Sequence, residues 1–226
     1  ALARRGDRPP GTALVSGEQS ALVHEAYRAR AAEYAELLGS MTAVADEDRA
    51  LVEAWAKRVD GALADVGCGP AHWTAHLDSL GHDVTGIDPV EEFVTHSHHA
   101  HPEVCVEVGS FETLPASAFD GILAWYSTIH TPPQQMPFLL KHAYRALRPG
   151  GSLLLGFFAG EQTEPFAHAV TTAWYWPSED LAHLLTETGF TVIGHGTRQD
   201  PGIRRHGWIE AVRNWTTAQP STAYAP

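Results

Sequence analysis

Cysteines, basic residues and long apolar runs are all scarce in this chain of 226 residues. The two cysteines, Cys68 and Cys105, fall in an expected turn and an expected strand, which suits reduced thiols better than a disulfide framework. The longest apolar run, Leu153–Ala159, is far shorter than the roughly 20 residues of a membrane-spanning helix. The sequence therefore predicts no structural disulfide and no membrane partner.

Basic side chains are too few and too scattered for a nucleic-acid surface. The chain has 15 lysines and arginines against 27 aspartates and glutamates, which gives a formal net charge of −12. Because binding to a phosphate backbone requires clustered cations, we expect no nucleic-acid partner. The N-terminal region has arginines but neither the apolar stretch nor the cleavage site of a signal peptide, so we expect a cytoplasmic protein.

The chain is the length of one domain with two short tails. Residues 1–17 and 216–226 have tail-like compositions, and the domain is expected at 18–215. Helical patterns at about 18–38 and 46–60 predict a helical lid at 18–60. From residue 62 onward, short apolar runs alternate with helical patterns, which is typical of βαβ units in a parallel sheet. Strands are expected at 62–66, 82–87, 104–108, 119–125, 152–158, 190–195 and 207–212, and helices at about 71–80, 90–100, 133–147 and 178–188.

A glycine-rich turn, Asp65–Ala71, connects the first strand to the next helix. Gly67 and Gly69 tolerate positive φ and let the backbone approach a ligand, although a tight turn without a ligand would need such glycines too. Asp88 ends the second strand about twenty residues later, where a carboxylate can accept both hydroxyls of a ribose. His72 stands where dinucleotide dehydrogenases have a third glycine, which disfavours a nicotinamide cofactor.

These residues resemble a known family. Asp65–Ala71 resembles motif I of the class I S-adenosylmethionine (SAM)-dependent methyltransferases, with Ala71 in place of the third glycine. Phe119–Ala124 resembles their fourth strand, and Ala146–Leu155 resembles their Leu-Arg-Pro-Gly-Gly turn, so the resemblance covers about 20–213. It implies an α/β fold: a three-layer Rossmann-like sandwich with a seven-stranded, mostly parallel sheet of order 3-2-1-4-5-7-6, whose last strand is antiparallel. The implied cofactor is SAM, lying across the carboxyl ends of strands one to four.

The resemblance also assigns cofactor-binding residues. Gly67, Cys68 and Gly69 would face the methionine part of SAM, and Asp65 would help to hold its amino group. Ser110 and Phe111 would bracket the adenine, although many relatives have an acidic residue in place of Ser110. The full expected set is Tyr27, Tyr34, Asp65, Gly67, Cys68, Gly69, Asp88, Pro89, Ser110, Phe111 and Trp125.

On the acceptor side, His130 follows the fourth strand in a loop that lines the methyl-transfer site of the family. We expect His130 to be a base or an orienting group, the alternative being a structural histidine bonded to the backbone. Tyr126, Trp174 and Trp176 are expected to bind the acceptor, with core packing as the alternative for the two tryptophans. Packing of an amphipathic helix is likewise the alternative to a lid role for Tyr27 and Tyr34.

The expected function is methyl transfer from SAM, with S-adenosylhomocysteine (SAH) as product, to an O, N or C nucleophile of a small molecule, in secondary metabolism. Two alternatives stay open: a SAM-binding protein that does not methylate, such as a cyclase or a binding partner, and a nicotinamide-dependent oxidoreductase. The histidines between 96 and 101 lie at a predicted helix end without cysteine or acidic neighbours, so we expect no metal. The oligomeric state is expected to be a monomer or a homodimer.

Overall fold

The computed structural model describes residues 16–31, 33 and 39–215, with the backbone alone for 16–20. Tyr34, the expected C-terminal tail and nearly all of the N-terminal tail lie outside these residues. Within the described part of the chain, no helix has both the length and the apolar character to cross a membrane.

Six α-helices and nine strands make up the described fold, with short 3₁₀ turns at Met41–Ala43 and Phe111–Thr113. The helices are α1 (Ser16–Arg28), α2 (Asp46–Ala56), α3 (His72–Ser79), α4 (Glu91–Ala100), α5 (Met136–Ala146) and α6 (Ser178–Thr188). The strands are β1 (Leu63–Val66), β2 (Val84–Asp88), β3 (Cys105–Val108), β4 (Phe119–Trp125), β5 (Leu147–Ala159), β6 (Glu164–Ala167), β7 (Thr172–Trp176), β8 (Phe190–Arg198) and β9 (His206–Arg213).

The central sheet confirms the expected fold class and strand order. Five parallel strands lie in the order β3-β2-β1-β4-β5. Strand β9 pairs antiparallel with β5, and β8 pairs antiparallel with β9. Strands β8 and β9 correspond to the sixth and seventh of the seven strands expected from the sequence. In the numbering of the expected strands, the sheet therefore has the order 3-2-1-4-5-7-6 with an antiparallel last strand.

A hairpin of β6 and β7 was not expected. Strand β7 pairs with the last two residues of β5, Phe158 and Ala159, beyond the last paired residue of β4. Its sequence, Thr-Ala-Trp-Tyr-Trp, has the β-branched and aromatic residues that favour a strand, but it is only five residues long. The hairpin matters for function because its loop reaches the site described below.

Helices pack on both faces of the sheet, as a three-layer sandwich requires. On one face α5 and α6 bury Leu140 and Leu185 completely, and on the other α2 and α3 bury Trp55 and Leu77. Trp55 also donates its indole N–H to Ser152 Oγ on β5, at 2.9 Å. Trp55 thus anchors α2 to the sheet, which favours a packing role for this part of the predicted lid at 18–60.

Candidate cofactor and acceptor site

Two adjoining cavities lie at the carboxyl ends of β1 to β4. The Asp88 cavity, of about 470 Å³, is lined by Gly69 and Asp88, and the Phe111 cavity, of about 640 Å³, is lined by Ser110 and Phe111. Six residues line both cavities: Val23, His24, Gly67, Pro89, Ser127 and His130. A ligand that extends from Asp88 to Phe111 would therefore pass Gly67 and His130.

The glycine-rich turn needs glycine for two separate reasons. Gly67 and Gly69 both have positive φ, +74° and +55°. At Gly67 a Cβ would also lie only 2.3 Å from Ser127 Cβ, on the loop after β4. Ala71 has φ +63° and is completely buried, so the turn keeps the left-handed conformation that a third glycine would allow. The turn thus places its backbone, without side chains, at the wall shared by the two cavities.

Asp88 holds the turn and the next loop together. Its Oδ2 accepts the N–H of Gly69 and its Oδ1 accepts the N–H of Val90, both at 2.8 Å. Burial raises the pKa of Asp88 to about 6, although these two hydrogen bonds oppose the shift. A carboxylate has about four lone-pair sites, so each oxygen can still accept a hydroxyl from a ligand in the cavity.

Two other predicted cofactor residues turn their side chains elsewhere. Asp65 accepts a hydrogen bond from Thr74 Oγ1 at 2.7 Å, and burial raises its pKa to about 7. Cys68 is 5% exposed, and its Sγ would lie 3.1 Å from a Cβ on Gly86 of β2. Neither residue lines the two cavities. The predicted contacts of Asp65 with the amino group and of Cys68 with the methionine part of SAM stay predictions.

The loop after β3 forms one wall of the Phe111 cavity. Ser110 caps the 3₁₀ turn together with Thr113, whose Oγ1 accepts the Ser110 N–H at 2.9 Å. The capped turn fixes Phe111, which is only 6% exposed, in the cavity wall with Pro89. An aromatic ring held in this way suits stacking against a flat base.

His130 is a neutral imidazole with a defined tautomer. Its Nδ1 lies 2.7 Å from the carbonyl oxygen of Thr172 on β7, and because a carbonyl only accepts, Nδ1 carries the proton. Burial lowers the pKa of His130, although the bond to Thr172 opposes the shift. The lone pair is therefore on Nε2, which accepts the hydroxyl of Tyr27 at 3.0 Å.

Tyr27 belongs to α1, which covers the site from one side. Its ring contacts those of His130 and Phe93 edge to face, with centroids 5.5 and 6.1 Å apart. Arg28 pairs with Glu92 of α4 at 3.0 Å, but both side chains are about half exposed, so the pair adds little stability. Among the described side chains of α1, Val23, His24 and Tyr27 line the Asp88 cavity.

The end of β4 brings two predicted residues to the Asp88 cavity. Trp125 lines it and contacts Trp73 edge to face, with centroids 6.2 Å apart. Tyr126 has φ +57°, an unusual conformation for a bulky residue, and its hydroxyl bonds to Nδ1 of His206 on β9. Burial raises the pKa of Tyr126, so its hydroxyl stays protonated.

Several lining residues could not be predicted from the sequence, because they come from β5, β8, β9 and the hairpin loop. Phe158 and His168 extend the aromatic wall, with ring centroids 6.0 Å apart. Arg198 donates to Asp48 at 2.5 Å and to Asp200 at 2.8 Å, and its bond to Asp48 is the main reason its pKa is raised. The single cation of this group therefore faces two carboxylates and is already paired.

Trp174 and Trp176 lie in the core and do not line either cavity. Trp176 is 4% exposed within the cluster beneath α5 and α6, and Trp174 packs against the same cluster. These positions favour the packing interpretation over acceptor binding. Among the described residues, no group of three histidine, cysteine or acidic side chains could hold a metal ion.

Comparisons with known proteins agree with this geometry. A family model described as a methyltransferase domain matches residues 63–151. The mitochondrial ubiquinone biosynthesis O-methyltransferase of Mus musculus is 29% identical in an alignment of 154 positions, which covers 58% of this chain and 41% of the mouse protein. The chain thus spans less than half of that relative.

Solved structures share the fold at low identity. A 1,6-didemethyltoxoflavin-N1-methyltransferase of Burkholderia thailandensis, with its substrate and SAH bound, has a TM-score of 0.76 at 21% identity and covers 93% of this chain and 94% of its own. The cyclase SpnF has a TM-score of 0.70 at 16% identity, and the match covers 85% of this chain and 95% of the SpnF chain. Since a cyclase shares the fold, the fold alone does not decide the reaction. The segment 63–151, which contains the glycine-rich turn, is thus similar to a methyltransferase domain, and the sheet order is that of a Rossmann-like methyltransferase fold.

Proposed function

We propose that this protein transfers a methyl group from SAM to a small-molecule acceptor. The observation that carries the proposal is the position of His130: its Nε2, a neutral lone pair, lies in the wall shared by the Asp88 and Phe111 cavities. A group placed there faces the middle of a ligand that extends between the two cavities.

The residues present would fit SAM from its adenine to its methionine part. Phe111 and Ser110 would hold the adenine, the carboxylate of Asp88 would accept the ribose hydroxyls, and the backbone of Gly67 and Gly69 would face the methionine part. The missing Cβ at Gly67 leaves room at the narrowest point, beside Ser127. When bound, SAM supplies an electrophilic methyl group on a sulfonium.

The protein's own contribution is alignment, exclusion of water and removal of one proton. Bound SAM would supply its methyl group to the acceptor's nucleophilic atom, and SAH would leave with the electron pair of the carbon–sulfur bond. His130 Nε2 takes the acceptor's proton, while Nδ1 keeps its hydrogen bond to Thr172 and holds the ring in place. Trp125 and the ring of Tyr27 shield the site from solvent.

Tyr27 controls access to this base. Its hydroxyl donates a hydrogen bond to His130 Nε2. The acceptor's N–H or O–H therefore has to displace the Tyr27 hydroxyl before Nε2 can take up a proton. Because Tyr27 lies on α1, the exchange requires only a local shift of α1 relative to β4 and β7. We therefore assign α1 the role of a lid over the cofactor and His130.

The proposal is tested with SAM that carries a deuterated methyl group. We expect incubation with a small-molecule extract of the source organism to give one product heavier by the labelled methyl, together with an equal amount of SAH. Tight binding of SAH without labelled product or SAH formation would favour a SAM-binding protein or a cyclase instead. Protection from thermal unfolding by NAD or NADP but not by SAM would favour the oxidoreductase.

The raised pKa of Asp88 predicts that SAH affinity depends on pH. The ionised carboxylate accepts the ribose hydroxyls, so binding favours the ionised form, which prevails above pH 6 and is lost as the pH falls below it. We expect the Kd of SAH to rise about tenfold between pH 7.5 and 5, measured by calorimetry. Asp65, with a pKa of about 7, titrates in the same range, so Asp88→Asn serves as the control and should flatten the profile.

Hydrogen exchange tests the lid. We expect amide exchange within residues 16–31 to slow when SAH is added, because an element that closes over a ligand gains protection. Helix α2, which is anchored by Trp55, should exchange at the same rate with and without SAH. Equal rates in α1 under both conditions would instead favour a packing helix.

A further inference from the structure

His168 lies beside His130 in the wall of the Asp88 cavity. The two imidazole ring centroids are 5.2 Å apart. The loop that carries His168, between β6 and β7, is held on both sides: Arg204 donates to the carbonyl of Ala167 at 3.2 Å, and Arg30, just after α1, donates to that of Ala169 at 2.5 Å. The loop and the lid thus close the same cavity together.

The two nitrogens of His168 have different surroundings. Its Nδ1 is enclosed and has no hydrogen-bond partner among the described residues. The pKa of His168 is lowered to about 4, mainly by burial and then by the nearby His130, Arg204 and Arg30. The ring is therefore neutral near pH 7 and carries one N–H. An enclosed N–H without an acceptor is rarer in proteins than an unpaired acceptor, so the proton is favoured on Nε2. Since Nδ1 is enclosed, Nε2 is the atom with which His168 can face the cavity.

His130 and His168 therefore offer complementary groups side by side. His130 presents an acceptor, its Nε2 lone pair, once a ligand displaces the Tyr27 hydroxyl, and His168 presents a donor, its Nε2–H. The aromatic wall beside them includes Phe158, and the cation of Arg198 is already neutralised by two carboxylates. These surroundings suit a flat, uncharged ring.

We propose that His168 is a specificity-determining residue, whose Nε2–H binds a hydrogen-bond acceptor next to the nucleophilic atom that faces His130. The substrate class is an uncharged heteroaromatic ring with an N–H or O–H beside an acceptor oxygen or nitrogen, as at the edge of a cyclic amide. The inference that the nucleophilic atom faces His130 rests on the proposed function. The recognition of the ring's hydrogen-bonding edge by His168 rests on the cavity alone.

Two isomeric probes test the inference by binding. In 2-quinolone the N–H lies next to the carbonyl, whereas in 4-quinolone the two groups lie across the ring. We expect SAH-loaded protein to bind 2-quinolone about tenfold more tightly, measured by calorimetry, because only this isomer engages both histidines. His168→Phe keeps the ring volume and should reduce the ratio to near one. His168→Gln restores a side-chain N–H and should recover part of the preference.

Thermal unfolding is the control for the fold, and both His168 variants should unfold in a single transition as the wild type does. Equal affinities of the wild type for the two quinolones would overturn the inference without any variant, and so would an undiminished ratio in His168→Phe. If SAH does not bind, the proposed function fails, and the same comparison with unliganded protein still tests His168. If 2-quinolone is preferred but no acceptor is methylated, the proposed function fails and the recognition role of His168 remains.

Discussion

Replacing Asp88 by alanine is expected to weaken SAH binding about 10- to 150-fold. The carboxylate would lose its bonds to the ribose hydroxyls, and hydrogen bonds to a charged group contribute about 1.5–3 kcal/mol. The substitution also leaves the N–H groups of Gly69 and Val90 without the acceptor that now orders both loops. Calorimetric titration of the variant and the wild type at pH 7.5 measures the effect.

Asp83→Ala is the matched control, since this exposed aspartate lies just before β2 and contacts neither cavity. It should bind SAH as the wild type does. Removal of the Asp88 carboxylate also removes a charge whose burial is unfavourable, so the loss of fold stability should be smaller than the loss of affinity. An Asp88→Ala protein that stays folded and keeps its affinity for SAH would place the cofactor elsewhere.

Each part of the site that the sequence predicts lies close to the end of a single strand. Gly67 and Asp88 follow from the position of a glycine turn after β1 and a carboxylate at the end of β2, because parallel strands bring their carboxyl ends to one edge. The direction of Asp65 could not be predicted. Strand β1 is buried on both faces, so alternation of polar and apolar residues carries no information there.

The acceptor side depends on contacts between distant segments. His168 reaches the site through a short hairpin, and His206 and Arg198 reach it from the antiparallel strands β9 and β8. No motif spacing links these residues to His130, since the pairing of β5 with β7 and β9 brings them together. Sequence position alone does not separate packing from acceptor binding: Trp174 and Trp176 lie on β7 next to the hairpin loop, yet Trp176 is buried in the core cluster and Trp174 packs against it.

His130→Ala is expected to leave SAH affinity nearly unchanged but to lower turnover on the identified acceptor by about 10²- to 10⁴-fold, the usual contribution of a general base. Binding and chemistry should separate because the cofactor's ribose and adenine are held by other residues, Asp88 and Phe111 among them. Calorimetry with SAH and the initial rate of SAH formation measure the two quantities on the same protein.

His130→Gln distinguishes a base from an orienting group. A glutamine amide can donate to the Thr172 carbonyl, as Nδ1–H does now, and its oxygen can accept from the substrate, but it takes up no proton near neutral pH. If glutamine fails as alanine does, proton removal by Nε2 accounts for the rate. If glutamine restores most of the rate, His130 only orients the acceptor. Normal turnover in both variants would make His130 a structural link between α1 and β7, and alignment by Trp125 and Tyr126 would then have to account for the reaction.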